Sequence, residues 1–291
     1  TCIKFHYICV LLKCLDNDIN GHYVEPYAGG AAVALFLLYE NFVNQITIND
    51  KDRSIYAFWY SVLNYNSELC KKINEAELTL ENWHYQKSIQ QNKAKANLLD
   101  LGFSTFFLNR TNRSGIINGG LIGGVDQDGE YKMDCRFNKE KLLKRIRKVS
   151  EYKDNINLFN LDALELVKQI RKENEADNTI FYFDPPYYLK ASSLYLNHYE
   201  KDDHQKVSDE IQKISEIKWI VSYDNVPEII QLYKNFKKKE YSFYHNAYKS
   251  RIGKEVLFFS DNINLPKEEN WDPLSFKKRR LSNGIKIFYK E

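Results

Sequence analysis

Thr179-Ile180-Phe181-Tyr182-Phe183-Asp184-Pro185-Pro186-Tyr187 is the stretch on which the fold of this chain turns. The first five residues are β-branched or aromatic and carry no charge. Such a run reads as a strand covered on both faces, the type found inside a parallel α/β sheet. The two prolines cannot continue a sheet ladder. The chain must therefore leave the strand with Asp184 at its carboxyl end, where α/β sheets bind their ligands. The plain alternative is that Asp184-Pro185-Pro186 is only a strand-ending turn.

The same rhythm extends on both sides. Tyr23-Val24-Glu25 reads as a strand running into Pro26-Tyr27-Ala28-Gly29-Gly30, followed by an apolar helix from Ala31 to Glu40. Ile46-Thr47-Ile48 is a second strand, ending at Asn49-Asp50. Strand, glycine turn, helix, strand and acid make half of a Rossmann-type sheet. Downstream, Ile156 to Phe159 is a strand followed by Asn160-Leu161-Asp162 and a helix from Ala163. Asp202 to Glu216 is a helix, and Trp219 to Tyr223 and Glu255 to Phe259 are strands. Between the halves the pattern changes. Helices run from Asp52 to about Asn97, and glycine and asparagine dominate from Phe103 to Arg136. There Asp128-Gly129, with Glu130 to Met133 after it, suggests a β-hairpin. Phe137 to Val149 is helical and basic, and Phe276 to Tyr289 reads as a hairpin with an Asn283-Gly284 turn. The expected organisation is a discontinuous catalytic domain (1–52 and 149–265), a helical plus hairpin recognition insert (53–148) and a C-terminal hairpin extension (266–291).

Length and composition fit a soluble globular protein of 291 residues with a net charge of only +3. The charge is uneven: Arg110 to Lys148 holds ten Lys/Arg against five Asp/Glu, the footprint of a phosphate-contacting region or of a solvated helix face. The five cysteines include no Cys-x-x-Cys pair, which argues against a zinc site or disulfide framework and for a reducing, cytoplasmic setting. The apolar run Tyr7 to Leu12 is too short to span a membrane. The chain opens on Thr1 rather than Met, so a start further upstream is one alternative.

The chemistry behind Asp184 concerns an exocyclic amine. The amino nitrogen of adenine is a poor nucleophile because its lone pair is delocalised into the ring. Asp184 and the Pro185 carbonyl, stiffened by Pro186, can accept its two hydrogens and draw it out of conjugation. Tyr187 can stack on an extruded base. Small residues at Gly29 and Gly30 let a ligand approach the backbone. Asp50, 21 residues after Gly29, stands where an acid grips ribose hydroxyls, or else caps the following helix. Asp162 divides evenly between accepting from the adenine of a cofactor and capping the helix behind it. Asn109-Arg110-Thr111-Asn112-Arg113-Ser114-Gly115 combines the residue types that contact phosphates and base edges; its alternative is a solvated loop. Asp224 and Asn225 read as a cap or turn, and His198 and His204 receive no catalytic role. No residue group suggests a metal.

These stretches resemble the DNA adenine methyltransferase (Dam-like) family from about Tyr23 to Asp261. The matching runs are YVEPYAGGAAVAL, INDKD, FFLNRTNRSG, NLDAL, YFDPPYY, SLYLNHY and WIVSYDN, in the family's order. The resemblance implies a Rossmann-like S-adenosylmethionine-dependent methyltransferase fold and an adenine-specific amino-methyltransferase acting on double-stranded DNA. A bacterial or phage-type cytoplasmic enzyme related to restriction-modification systems is expected, as a monomer or weak dimer, with the existence of a paired restriction enzyme left open. The resemblance also implies that Asp184, Pro185, Pro186 and Tyr187 hold the flipped adenine. Glu25, Pro26, Tyr27, Ala28, Gly29, Gly30, Asp50, Asp162 and Asp184 would surround the cofactor, and Asn109, Arg110, Asn112, Arg113 and Ser114 would contact DNA. The family's Pro-Gly-Gly-Lys-like motif has no counterpart from Thr1 to Gly21. The alternatives are an RNA adenine methyltransferase, which shares the amine chemistry, a catalytically impaired DNA-binding relative, and, ranked lower, a cytosine amino-methyltransferase.

Overall fold

Apolar, β-branched and aromatic runs become the strands of one twisted sheet. In the computed structural model, which describes residues 21–172, 179–188, 200–245, 251–265, 277–280 and 286–289, these are β1 (His22–Glu25), β2 (Gln45–Asn49), β3 (Ile156–Phe159), β4 (Thr179–Phe183), β5 (Lys218–Asp224), β6 (Lys237–His245) and β7 (Arg251–Phe259). Their order is β3-β2-β1-β4-β5-β7-β6. β1 runs parallel to both β2 and β4, and β4 runs parallel to β5. β7 lies antiparallel between β5 and β6. This is a doubly wound, Rossmann-like order with an extra antiparallel strand near one edge. The edge strand β6 begins Lys237-Lys238-Lys239-Glu240. Such a charged edge resists pairing with other chains, and it also hid this strand from a search for apolar alternation.

The chain divides into two units, Thr1–Ile48 with Ala163–Glu291, and Asn49–Asp162. In the first, α1 (Ala32–Tyr39), α7 (Ala163–Lys172), α8 (Lys201–Gln212) and α9 (Pro227–Leu232) accompany the sheet. α7 buries Ala163, Leu166, Val167 and Ile170, one stripe at helical spacing. α8 starts with a reciprocal cap between Glu200 and Asp203 and buries His204, Val207, Ser208 and Ile211. Trp219, Tyr223, Tyr233, Phe181, Phe183, Phe258 and Phe259 are fully buried.

In the second unit, α2 (Arg53–Asn64), α3 (Asn66–Glu75), α4 (Leu80–Gln91), α5 (Leu98–Thr111) and α6 (Lys139–Ser150) precede β3. α5 is buried on nearly every side, from Leu101 to Leu108. Gly102 is required there: a Cβ would sit 2.5 Å from the Ala57 carbonyl oxygen of α2. The polar groups this burial strands are matched internally. Gln90 Nε2 donates to Ser104 Oγ and Thr105 Oγ1, and Ser54 Oγ donates to Gln90 Oε1.

Two expectations need correction. The region from Phe103 to Arg136 is helical as far as Thr111. The Asp128-Gly129 hairpin does not form: residues 123–136 are turns and bends. Val125 and Tyr131 are exposed and Met133 is buried, so the segment buries one side chain rather than the continuous apolar face a hairpin needs. Instead the loop wraps around Gln127, whose side chain donates to the Ile122 and Gly124 carbonyls and accepts from the Met133 N–H. The insert is therefore helical with a bonded loop. The C-terminal hairpin is present as β8 (Lys277–Arg280) and β9 (Lys286–Tyr289), paired from Lys277↔Tyr289 to Arg280↔Lys286. Its Asn283-Gly284 turn, His198, the SLYLNHY run and the stretch before Gly21 lie outside the described residues.

Candidate functional site

The sheet order reverses between β1 and β4, and the crevice at that point is where doubly wound sheets bind ligands. The glycine turn leaves β1 and the Asp-Pro-Pro turn leaves β4, at the carboxyl ends of these two parallel neighbours. Gly29 has φ of 46°, and Ala31, directly before α1, has φ of 44° and ψ of 34°. A left-handed alanine is strained, and such residues gather at functional sites. The Ala31 N–H closes the turn on the Ala28 carbonyl at 2.6 Å. A Cβ placed on Gly29 or Gly30 would meet no atom within 4 Å, so the backbone here faces open space. Pro26 and Ala28 are buried, and Tyr27 is half-buried.

Glu25 ends β1 and is 4% exposed. Its carboxyl accepts from the Tyr23 hydroxyl at 3.0 Å and from the Ala34 N–H in the first turn of α1. Burial drives its pKa up to about 8; the Tyr23 bond opposes the rise, the charge of Asp184 adds to it and the Ala34 bond opposes it. Glu25 is thus held protonated at neutral pH, as an internal cap for a helix whose own N-cap position, Ala31, offers no side-chain acceptor.

Asp184 follows β4 directly and is half-buried, Pro185 is buried, and Pro186 and Tyr187 are half-buried. The turn is anchored from behind. Tyr187 donates its hydroxyl to Glu255 Oε1 at 2.6 Å, and the Tyr188 N–H donates to Asp224 Oδ1 at 2.9 Å. Tyr241 donates to the other oxygen of Glu255. The Tyr188 ring lies 5.2 Å from that of His204, which in turn bonds the Tyr223 hydroxyl at 2.9 Å. Burial holds the His204 pKa below its usual value, against the pull of Asp224 and Asp203. The cap-or-turn reading of Asp224 missed its bond to this loop. Glu255 carried one legible signal, an acid opening the apolar run Glu255-Val256-Leu257-Phe258-Phe259. Asn225 instead pairs with Glu240 at 2.9 Å.

In the second unit the helix cap after β2 is Asp52, which accepts from the Ser54 N–H at 2.9 Å. That leaves Asp50 outside the cap, with Oδ1 accepting from the Asp52 N–H. Asn49, buried and overlooked in the sequence, holds the Leu161 backbone by two bonds: its Nδ2 donates to the Leu161 carbonyl at 3.1 Å and its Oδ1 accepts from the Leu161 N–H at 2.9 Å. Asn160 Nδ2 reaches the Asp50 carbonyl at 2.7 Å, and Asp162 pairs with Lys51 at 3.0 Å. These bonds bring the Asp50 and Asp162 turns together.

The basic loop also belongs to this unit. Asn109 and Arg110 occupy the last turn of α5. Asn109 Oδ1 accepts from Arg110 Nε at 3.1 Å while its Nδ2 donates to the Gly115 carbonyl. Burial lowers the Arg110 pKa, and the neighbouring charges of Arg136 and Arg145 lower it further, so three guanidiniums share this surface. Arg113 and Ser114 are exposed, and Ser114 adopts φ of 56°. Asn112 differs from the rest: it is buried, it accepts from Trp83 Nε1 at 2.7 Å, and its Nδ2 donates to the Ile116 and Ile117 carbonyls. Its amide staples the loop and does not face outward.

Among the described residues no helix is long and apolar enough to cross a membrane, and no group of three His, Cys, Asp or Glu could hold a metal. Two solved structures of the rRNA methyltransferase aviRa from Streptomyces viridochromogenes are each 10% identical to this chain. Each match covers 87% of this chain and 81% of that one, with TM-scores of 0.39 and 0.38. Sp1610 of Streptococcus pneumoniae is 5% identical, with 89% and 72% covered and a TM-score of 0.38. At these scores the likenesses carry no functional argument. Among curated proteins no sequence matches this chain. A family model does match, over residues 3–249, and the chain belongs to the D12 class N6 adenine-specific DNA methyltransferases.

Proposed function

We propose that Asp184, Pro185, Pro186 and Tyr187 carry out the family's methyl transfer to the adenine amino nitrogen in DNA. The observation that carries this reading is the placement of Asp184 at the carboxyl end of β4, beside the glycine turn of β1, at the reversal of strand order. Asp184 and the Pro185 carbonyl accept the two amine hydrogens. That localises the nitrogen lone pair on the face it must attack from. Tyr187 stacks against the extruded base. The proton lost after transfer leaves to water.

The methyl donor of the family is S-adenosylmethionine, which supplies an electrophilic methyl group on its sulfonium. The residues present fit it: the turn at Gly29–Gly30 faces open space, and Asp50 is not taken up as the helix cap. Pro26 to Gly30 would let the nucleoside approach the backbone. Asp50 would accept from ribose hydroxyls, and Asp162 from the cofactor's adenine. Glu25 would act by holding the turn against α1.

Residues 53–148 would serve as the target-recognition insert, with 1–52 and 149–265 as the catalytic domain. Arg110, Arg113, Ser114 and Asn109 are the proposed DNA contacts. The clustering of Arg110 with Arg136 and Arg145 supports this, since like charges at one place are costly without an anion.

The test is Asp184→Ala. Losing one preorganised polar partner in such a site costs about 10²–10³ in rate. Single-turnover methylation of plasmid DNA should fall by that factor with melting temperature unchanged. A rate within a few-fold of wild type refutes the assignment.

A further inference from the structure

We infer that Glu255 is a positioning residue for methyl transfer, fixing the ring plane of Tyr187. The inference rests on the reading that Tyr187 stacks on the extruded adenine. A tyrosine at the end of a turn can rotate about two side-chain bonds, and a stacked base is held only as firmly as the ring beneath it. Here the ring is tied by its far end. Its hydroxyl donates to Glu255 Oε1 at 2.6 Å, and Glu255 is 1% exposed. Glu255 in turn cannot swing, because Tyr241 donates to its other oxygen from the neighbouring strand, where the two residues are register partners. The carboxylate is a rigid bracket between a phenol of the sheet and a phenol of the catalytic turn. Charge-assisted bonds of this kind are the strong ones.

The surrounding register gives a second, independent reason. Glu255 lies directly opposite Asp224 across the β5–β7 ladder. Two acids facing each other across antiparallel strands destabilise a sheet. Packing alone does not account for the pair, but the turn does: Asp224 accepts from the Tyr188 N–H at 2.9 Å while Glu255 accepts from the Tyr187 hydroxyl. Each acid holds one of two consecutive residues of the same turn, one by its backbone and one by its side chain.

The experiment compares Tyr187→Phe, Glu255→Gln, the double variant, Tyr187→Ala and Asp184→Ala. Each is assayed by single-turnover transfer of a labelled methyl group to plasmid DNA, with dissociation constants for DNA and for S-adenosylmethionine and a melting temperature. Tyr187→Phe removes only the hydroxyl and keeps the ring. A misplacement of about 1 Å can cost about a hundredfold in rate, so Tyr187→Phe and Glu255→Gln should each slow transfer by about ten- to a hundredfold. The double variant should be no slower than the worse single one, because Glu255→Gln leaves one acceptor oxygen for two phenols and so weakens the same bond that Tyr187→Phe deletes. Affinity for S-adenosylmethionine should not change. A purely structural Glu255 would lower the melting temperature and leave the single-turnover rate alone; that outcome overturns the inference, as do multiplicative rate losses. If Glu255→Gln fails to fold, Tyr187→Phe alone decides, and a wild-type rate for it overturns the inference. Inactive Asp184→Ala and Tyr187→Ala beside a fully active Tyr187→Phe would leave the proposed catalytic turn standing and remove only Glu255. An active Asp184→Ala would remove the underlying reading itself.

Discussion

Replacing Glu25 by Gln should make the protein more stable at neutral pH and leave it unchanged or slightly weaker in acid. Glu25 is buried and holds its proton up to about pH 8, whereas in the unfolded chain it releases it near 4.5. A group whose folded pKa is raised contributes its stability in full below the unfolded value. That stability is lost as pH rises from 4.5 through about 8, at about 1.4 kcal/mol per pH unit. The whole window is worth about 5 kcal/mol, and at pH 7 about 3 kcal/mol has already been lost. Gln does not titrate, so it escapes this loss. It offers only one acceptor to the Tyr23 hydroxyl and the Ala34 N–H, and leaving one unmatched costs about 1 kcal/mol. The net expectation at pH 7 is a gain of about 2 kcal/mol. Urea unfolding of both proteins at pH 5, 6, 7 and 8 reads this directly as a difference in midpoint that widens with pH. Parallel pH profiles for wild type and variant would refute the reasoning, since they would show that Glu25 is ionised in the folded protein.

Arg110→Ala should weaken DNA binding without changing affinity for S-adenosylmethionine, and the slope of log K against log salt should fall by about 0.9 if one phosphate contact is lost; fluorescence anisotropy over a salt series measures it. Asn112→Ala should cost about 1–3 kcal/mol of unfolding free energy, because it strands the Trp83 indole N–H and two loop carbonyls; chemical denaturation tests this, and DNA affinity should drop with it as the loop loosens. His204 is held neutral by burial, so its contribution is complete above its unfolded pKa of 6.5 and is lost as pH falls below that value. Wild type should therefore lose more stability than His204→Gln between pH 6.5 and 5.5, as read by melting temperature.

The parts of the fold that declared themselves in the sequence were those where one physical signal dominated. Thr179 to Phe183 has no charge and ends at two prolines, so its strand and its exit are both fixed locally. Ile156 to Phe159 and the run Val256 to Phe259 behind Glu255 were visible from their uncharged, largely apolar residues alone. α5 was not, because Gly102, Ser104 and Asn109 are poor helix formers. The gains that override them are a close approach to α2 and a network centred on Gln90, and both are tertiary. Asp128-Gly129 shows the reverse: a strong local turn signal with no continuous apolar face to support a ladder. In the candidate site the positions of the glycine turn and of Asp184 at strand ends were legible, because each follows directly on an apolar run. The layer behind them was not. Glu255, Tyr241 and Asp224 meet the Asp184–Tyr188 turn only through the β5–β7–β6 pairing, and no spacing along the chain encodes that register.

Asn49 and Leu161 also have a consequence for how such a protein can change over generations. They stand at the two ends of the unit Asn49–Asp162, and the Asn49 amide holds the Leu161 backbone by a matched donor and acceptor. The chain therefore departs and returns at one spot. A segment whose ends already meet can be lengthened, shortened or exchanged while the exit and entry points keep their places. One buried amide thus closes the segment that carries α2 to α6, and the loops between those helices can change in length while Asn49 and Leu161 keep their places.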